Sequence, residues 1–358
     1  MTNKKLPCSH GIVKIFVLAV LLSVPTISAG IDPFEFFRPS VTVTSEDRRQ
    51  LDQGQSIARI VPSEDRELAV FASVRVDIDG DRLVAWMRRV ELLKKSAYVL
   101  TIGRFSSPPR IEDLADLALD DEELSDVRSC RPGSCGLKLS SGEMNQLRGA
   151  AAAAGDGWKP ALQRAFRTVV LERVNAYLEK GHGAVPPYDN DSVQVRPAEH
   201  FAAVLAHSTF LTTRLPAFVE GLRDYPKTTQ PGVESFVYWS KERLAGKSIL
   251  SARHVNILRG GEPGVPDVLV VARQLFATHY VNAELGVTAL VEDRAAGRRY
   301  LVYFNRSEAD ALGGFFGGLV RWFAERRVRA EAADVLDGLR QRLERGNPPQ
   351  ATPVFDAR

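Results

Sequence analysis

The chain has few cysteines, little net charge and none of the common nucleotide or hydrolase motifs. Its 358 residues include 3 cysteines, and the net charge is +3 with both signs interspersed. No basic face is visible, so the sequence predicts no nucleic-acid partner. The chain also lacks a phosphate-binding loop, a G-x-S-x-G elbow and an H-E-x-x-H pair, which argues against nucleotide, serine-hydrolase and zinc-protease classes. No cofactor and no metal are predicted.

Long apolar runs are missing after the N-terminus, and the one near the N-terminus is short. Lys4, Lys5 and Lys14 accompany an apolar segment at 15–24, followed by small residues up to Gly30. This is the pattern of an export signal. The run is shorter than the about 20 residues of a membrane span, and an uncleaved anchor is the alternative. The sequence predicts a signal peptide at 1–29 and a periplasmic or secreted protein.

Two cysteines remain after the predicted cleavage. Cys130 and Cys135 enclose Pro132 and Gly133. In an oxidising compartment such a close pair predicts a disulfide. A redox-active pair is usually spaced C-x-x-C, and a zinc site would need two further ligands that are not visible nearby.

The remaining chain predicts one α+β domain. Residues 30–55, with Phe34, Phe36 and Phe37, are predicted to be an extended arm or tether. The domain covers 56–345, and a tail at 346–358 is predicted to be disordered. Strand-like runs lie at 57–61, 68–76 and 98–105. A helical middle region follows at 106–225, and a second strand-rich region lies at 234–305.

The strand-rich region predicts an antiparallel meander, because its turns are too short for parallel crossovers. A long amphipathic helix follows to residue 345. It is predicted to begin near Glu308, with Ser307 as N-cap and Asp310 in the first turn. The predicted fold class is therefore an antiparallel meander packed on a long C-terminal helix, with a helical insertion in the middle.

This order resembles that of START-like (SRPBCC) domains, which have the helix-grip fold. The resemblance covers mainly 56–100 and 234–345, and the middle third departs from it. It implies a curved sheet around the last helix, with an apolar cavity between them. The stretches at 130–135 and 300–307 also resemble segments of an uncharacterised family of exported bacterial proteins, and that family implies no activity.

Several residues are candidates for a binding site in such a cavity. Arg306 is a candidate anchor for a carboxylate, although Ser307 and Asp310 in a helix cap would account for much of the polar cluster around it. His254, His279 and Glu284 fall on neighbouring predicted strands and are candidates for a metal site or for acid–base chemistry. Structural hydrogen bonding is the alternative for each histidine. The aromatic candidates for ligand contact are Trp239, Phe315 and Phe316.

Four glycines near the helix start surround Phe315 and Phe316 at 313–318. Each glycine in a helix costs up to about 1 kcal/mol, so the cluster needs a reason. Close packing is one. Room for a ligand or a movable gate is the second. A tip that inserts into a membrane surface is the third.

The leading hypothesis is an exported protein that binds an apolar or amphipathic, lipid-like small molecule between the sheet and the C-terminal helix. One alternative is an enzyme that uses His254, His279 and Glu284 in the same cavity. The other is a cell-envelope interaction protein without a small-molecule site, which would use the arm around Phe34 or the glycine-rich helix start as its contact surface.

Overall fold

The computed structural model describes residues 1–2, 32–64, 66–228, 230–244, 246–260, 264–313 and 317–349. The predicted signal peptide falls outside these ranges except for Met1 and Thr2. Phe315 and Phe316 also lie outside the described residues, as does the predicted tail after 349. Within the described ranges, no helix combines the length and the apolar character needed to cross a membrane.

A single antiparallel sheet of eight strands forms the middle layer of the protein. Its order is β1-β2-β8-β7-β6-β5-β4-β3. The meander from β4 to β8 therefore lies between β3 on one side and the β1–β2 hairpin on the other. The strands are β1 Ile57–Val61, β2 Glu67–Val76, β3 Val99–Arg104, β4 Glu234–Leu244, β5 Lys247–Arg259, β6 Val268–Ala277, β7 Val281–Asp293 and β8 Arg298–Ala309.

Ten α-helices lie within the described residues, and they cover the two faces of the sheet unequally. They are α1 Ser45–Asp52, α2 Gly80–Met87, α3 Val90–Leu93, α4 Asp121–Ser129, α5 Ser141–Ala153, α6 Trp158–Lys180, α7 Pro197–His207, α8 Thr209–Arg214, α9 Pro216–Asp224 and α10 Gly317–Glu344. We call the face that packs against α2, α3 and α10 the inner face. The opposite face, which packs against residues 34–51 and α4–α9, is the outer face.

Successive side chains of a strand point to opposite faces, and the apolar clusters follow this rule. On β8, Val302 and Phe304 belong to the outer core, whereas Leu301 and Tyr303 belong to the inner one. The helix α10 lies mainly over β1 and β2, and Leu336 and Leu343 of its second half are buried in the inner core. An eight-stranded antiparallel sheet with a long C-terminal helix on one face, and a helical insertion between β3 and β4, confirms the predicted α+β, helix-grip-like class. The helix lies against β1 and β2, beside the β4–β8 meander.

The predicted start of the last helix is wrong. Residues around Glu308 belong to β8, where Ser307 pairs with Leu68 of β2 and Glu284 of β7. The ladder hydrogen bonds on both sides hold the chain extended, so the local capping signal at Ser307 has no effect. The helix begins at Gly317 instead.

Residues predicted to form an extended arm are packed into the outer core. Phe34, Phe36 and Phe37 are buried, and Phe37 lies 5.9 Å from the Phe71 ring of β2. The following segment contains α1, which Thr44 caps. The aromatic rings are thus a core contribution, because they bury apolar area against the sheet.

Cys130 and Cys135 form the predicted disulfide.

The first residues of the predicted disordered tail are held by hydrogen bonds. Residues 346–349 contact α2 and the residue that precedes α3. The indole of Trp86 donates to the Gly346 carbonyl over 2.8 Å, and Arg89 donates to the Pro349 carbonyl over 2.6 Å.

Candidate functional site

The inner face of the sheet is incompletely covered near its centre. On β8, Tyr303, Asn305 and Ser307 are partly exposed, while Phe304 and Arg306 between them are buried. Because alternate residues point to opposite faces, the accessible ones all lie on the inner face.

The inner face also has a floor of small residues. Ala272 of β6, Gly286 of β7 and Asn305 of β8 are cross-strand neighbours in one row. Ala272 is partly exposed although β6 has a strand on each side. A Cβ built on Gly286 would meet its nearest atoms at 3.8 Å, on Ala272 and Asn305, which is ordinary contact. Gly286 is buried, and a side chain as small as a methyl group would fit above it without close contact.

A network of opposite charges borders this space. Arg253 of β5 donates from Nη2 to Glu284 Oε2 at 2.8 Å, and Asn305 Nδ2 donates to the other oxygen of Glu284 at 2.8 Å. Lys94, just after α3, donates to Glu242 Oε1 at 3.0 Å. The same oxygen lies 3.6 Å from Arg253 Nη1. Four charged groups and one amide thus form a continuous polar chain across the inner face.

Neutral side chains complete the network. Ser240 donates to Glu242 Oε1 at 2.7 Å, and Arg253 Nη1 lies 2.5 Å from the Ser251 hydroxyl. The Lys94 ammonium is also 3.3 Å from the Tyr238 hydroxyl. The polar groups are therefore held in place by several hydrogen bonds each, which pre-organises them.

The four charged side chains are surrounded by protein atoms, yet part of each side chain is exposed to solvent. Lys94 and Glu242 keep 32% and 29% of their side-chain surface exposed, and Arg253 and Glu284 keep 12% and 17%. Surrounding protein atoms nevertheless desolvate Lys94, Glu242 and Arg253 strongly. Both observations hold when the side chains line a recess that solvent can enter.

Electrostatics keeps Lys94 and Glu242 in their charged forms. Burial alone would raise the pKa of Glu242, but the charges of Lys94 and Arg253 outweigh it and hold this pKa well below its ordinary range. Burial would likewise lower the pKa of Lys94, and the neighbouring Tyr238 and Glu242 raise it instead. Lys94 and Glu242 thus form a charged pair at neutral pH.

Two neutral groups beside the network have hydrogen-bonding capacity left over. Burial, followed by the charge of Glu284, raises the pKa of Tyr303 to about 12, so its hydroxyl stays protonated. Within the described part of the chain, that hydroxyl forms no hydrogen bond to a side chain. Gln274, the cross-strand partner of Arg253, is 2% exposed, and its Nε2 has no partner among the described residues.

The predicted site residue Arg306 lies on the outer face. Its Nη1 donates to Glu67 Oε2 at 2.6 Å, and the other oxygen of Glu67 accepts from His207 of α7, with Nδ1 at 2.6 Å. Arg306 and Glu67 are 4% and 3% exposed. Glu67 therefore links Arg306 of β8 to His207 of α7, and a ligand between the sheet and α10 would meet the opposite side of β8.

His254 and Trp239 also point away from the inner face. His254 Nδ1 lies 2.7 Å from the Tyr177 hydroxyl of α6, and Trp239 donates to the Asp113 carbonyl over 2.9 Å. Both side chains are buried under the helical insertion. Their predicted role in ligand binding stays a prediction, as do the roles of Phe315 and Phe316.

The predicted acid–base or metal group does not come together. Glu284 faces Arg253, His254 faces Tyr177, and His279 lies in the turn after β6, where its Nδ1 is 3.0 Å from the Thr278 hydroxyl. Within the described ranges, no three His, Cys, Asp or Glu side chains are grouped to hold a metal ion.

Sequence reasoning missed most of the inner-face network. Arg253 is adjacent to the histidine that was singled out, and Tyr303 lies within a stretch that was noted only for its resemblance. The sequence feature that points to this network is the occurrence of polar residues within strongly apolar strands, together with Gly286 in the middle of β7. Glycine in a strand marks close approach of another group.

Comparison with known proteins adds little. No protein-family model matches the chain, and no curated protein is similar to it. The ZhuI aromatase/cyclase from Streptomyces sp. R1128 is 18% identical, with a TM-score of 0.24 over 42% of this chain and 87% of that one. The di-domain ARO/CYC BexL from the BE-7585A biosynthetic pathway is 11% identical, with a TM-score of 0.22 over 88% and 96%. Scores this low carry no argument, so the fold class rests on the strand order itself.

Proposed function

We propose that this protein binds an amphipathic small molecule against the inner face of its sheet, beside α10. The observation that carries the proposal is the partial exposure of Ala272, Tyr303 and Asn305 at the centre of a sheet face. Such positions are normally filled by packed side chains. An open floor of small residues next to pre-organised polar groups is the usual build of a small-molecule site.

The apolar part of the ligand supplies most of the affinity in this proposal. Removing apolar surface from water contributes about 25 cal/mol per Å². The floor at Ala272 and Gly286 would receive this part, and Tyr303 and Asn305 would orient the polar end. The polar border favours an amphipathic ligand over a purely apolar one, because buried polar groups left without a partner are costly.

Filling the recess tests the proposal. The variant Gly286→Val adds a branched side chain above the floor, with no backbone strain because the Gly286 φ is not positive. We expect it to lower the affinity for the neutral dye Nile red and for dodecanol by at least about tenfold, since the lost contact area is worth more than roughly 1.4 kcal/mol. Fluorescence titration and native mass spectrometry measure this.

The matched control is Ala296→Val in the exposed turn between β7 and β8. It adds similar apolar area to the surface and should bind like the unchanged protein. Thermal unfolding shows that both variants are folded. Failure of the unchanged protein to bind the dye or any amphiphile, or equal binding by Gly286→Val, would overturn the proposal.

Location is a separate part of the proposal. We propose export to the periplasm or the medium, supported by the charged and apolar pattern of the first thirty residues and by the Cys130–Cys135 disulfide. N-terminal sequencing of the protein from its native host tests it. A mature chain starting near Gly30 is expected, and an intact N-terminus in the cytoplasmic fraction contradicts it.

The envelope-contact alternative loses one of its two surfaces. Phe34, Phe36 and Phe37 are at most 1% exposed, so the segment around them offers no aromatic contact surface. The other surface, around Phe315 and Phe316, lies outside the described residues.

A further inference from the structure

We infer that the polar end of the ligand is uncharged: a hydroxyl, carbonyl or amide group and not a carboxylate, a phosphate or an ammonium. This inference rests on the proposed function and names the ligand class that the same recess would take. It comes from the charge balance of the inner-face network and from the polar groups that the network leaves unused.

The charges bordering the recess cancel within the described network. Lys94 pairs with Glu242 at 3.0 Å, and Arg253 pairs with Glu284 at 2.8 Å. Two positive and two negative groups leave a net charge of zero. An anionic ligand would have to compete with Glu242 or Glu284 for its cation, and the displaced carboxylate would lose its charge-assisted hydrogen bond to that cation. An ammonium group would displace Lys94 or Arg253 with the same consequence.

The unused hydrogen-bonding groups are neutral. The Tyr303 hydroxyl can donate or accept, and the Gln274 Nε2 is a buried donor without a partner within the described ranges. Arg253 pairs with Gln274 across the strands and reaches over β6 to Glu284, so Gln274 lies under the ion pair. The Tyr303 hydroxyl, a neutral donor and acceptor beside neutralised charges, matches an uncharged polar end, because it can be satisfied without breaking an ion pair.

A change of preference in charge-altered variants provides the test. The probes are dodecanol, dodecanoate and dodecylammonium, which share one chain and differ in the end group. Each displaces Nile red at neutral pH, and the reported quantity is the affinity for a charged probe divided by the affinity for dodecanol. This ratio cancels differences in the apolar chain and in overall fold quality.

Glu284→Gln removes one negative charge and leaves Arg253 without its closest carboxylate. We expect its dodecanoate ratio to rise by roughly tenfold or more, as a charged hydrogen bond becomes available. Lys94→Gln removes a positive charge, and its dodecylammonium ratio should rise to a similar extent. The control is Glu67→Gln on the outer face, where the same chemical change should leave both ratios as they are in the unchanged protein.

The outcomes separate this inference from the function it rests on. An unchanged protein that prefers dodecanoate or dodecylammonium over dodecanol, or variants whose ratios match those of Glu67→Gln, would overturn the uncharged end group while binding stands. No binding of any probe by the unchanged protein would overturn the proposed function and this inference together.

Discussion

The two faces of the sheet are built differently. The outer face is covered by the helical insertion and the N-terminal segment, and its aromatic rings pack edge to face, as Phe210 does on Phe304 at 4.9 Å. The inner face is only partly covered and carries accessible charges such as Glu242 and Lys94. The insertion thus supplies a large core on one side of the sheet.

Ion pairs on the two sides of the sheet also differ in how much of their surface is exposed. On the outer face, Arg173 of α6 and Glu143 of α5 form a bidentate ion pair with side chains 1% and 8% exposed. On the inner face, Lys94 and Glu242 keep about a third of their surface exposed, at 32% and 29%. Burial decides how much a broken pair costs, because water can replace a lost partner only where it has access.

The largest difference is therefore expected between these two pairs. Arg173→Met leaves Glu143 as a buried charge without its cation, and we expect a loss of about 3–5 kcal/mol in unfolding free energy. Lys94→Met leaves Glu242 within reach of water and of Arg253, with an expected loss of about 1 kcal/mol or less. Urea denaturation of both variants measures the difference.

A double replacement checks the cause. Arg173→Met combined with Glu143→Leu removes both buried charges and should recover much of the loss, because apolar residues of similar volume often replace a buried pair at no cost. A double variant as unstable as Arg173→Met alone would show that packing, and not the unpaired charge, explains the effect.

Neighbouring residues of β8 give the next comparison. Phe304→Ala opens a cavity in the outer core, where the ring is fully buried, and should cost about 3–5 kcal/mol. Tyr303→Phe removes only a hydroxyl from the inner face, and we expect a change below about 1 kcal/mol. Equal losses for the two variants, measured by thermal unfolding, would mean that the inner face is as tightly packed as the outer one.

The sequence predicts the strands well and their faces poorly. The strand-like runs at 57–61, 68–76 and 98–105 and the strand-rich region at 234–305 match the observed strands within a few residues, because apolar runs and turn residues mark them clearly. On β5, however, Arg253 and His254 are adjacent polar residues between apolar neighbours, with Val255 and Ala252 buried on opposite faces. Because both faces of the sheet are largely apolar, the alternation of residues does not show which face a given side chain points to. That assignment depends on which face the helices of the insertion cover.

The helix start illustrates a second limit. Ser307 and Asp310 form a good local capping signal, yet β8 extends to Ala309 because β2 and β7 both pair with it. Pairing between β2 and β8 joins residues more than two hundred positions apart in the chain. The local sequence around Ser307 contains no information about such a distant pairing. The hydrogen bonds between strands therefore override the local capping signal.

Enlarging a small residue of β7 is expected to change the unfolding free energy in opposite directions on the two faces, and by less than the largest of the losses above. Ala289 is fully buried in the outer core, and Ala289→Leu should cost about 1–3 kcal/mol by overpacking. Gly286→Ala on the inner face meets no atom closer than 3.8 Å and should gain about 0.5–1 kcal/mol, because glycine is unfavourable in a strand. Chemical denaturation of the two variants measures both changes, and a loss in both would show that the inner face lacks room.

The last comparison is a pH dependence from the outer face. Burial, followed by the charge of Arg273, lowers the pKa of His254 from 6.5 to about 3. Between these values the unfolded chain binds a proton that the folded protein does not, so stability present above pH 6.5 is lost as the pH falls. One such histidine contributes about 1.4 kcal/mol per pH unit to this slope.

His254→Gln should reduce the slope of unfolding free energy against pH by about that amount between pH 4 and 6, while Gln can keep the hydrogen bond to Tyr177. Urea denaturation at several pH values measures the slope. The inner-face variant Tyr303→Phe serves as control, because the Tyr303 hydroxyl stays protonated throughout this range. An unchanged slope in His254→Gln would mean that His254 takes up a proton in the folded protein as readily as in the unfolded chain.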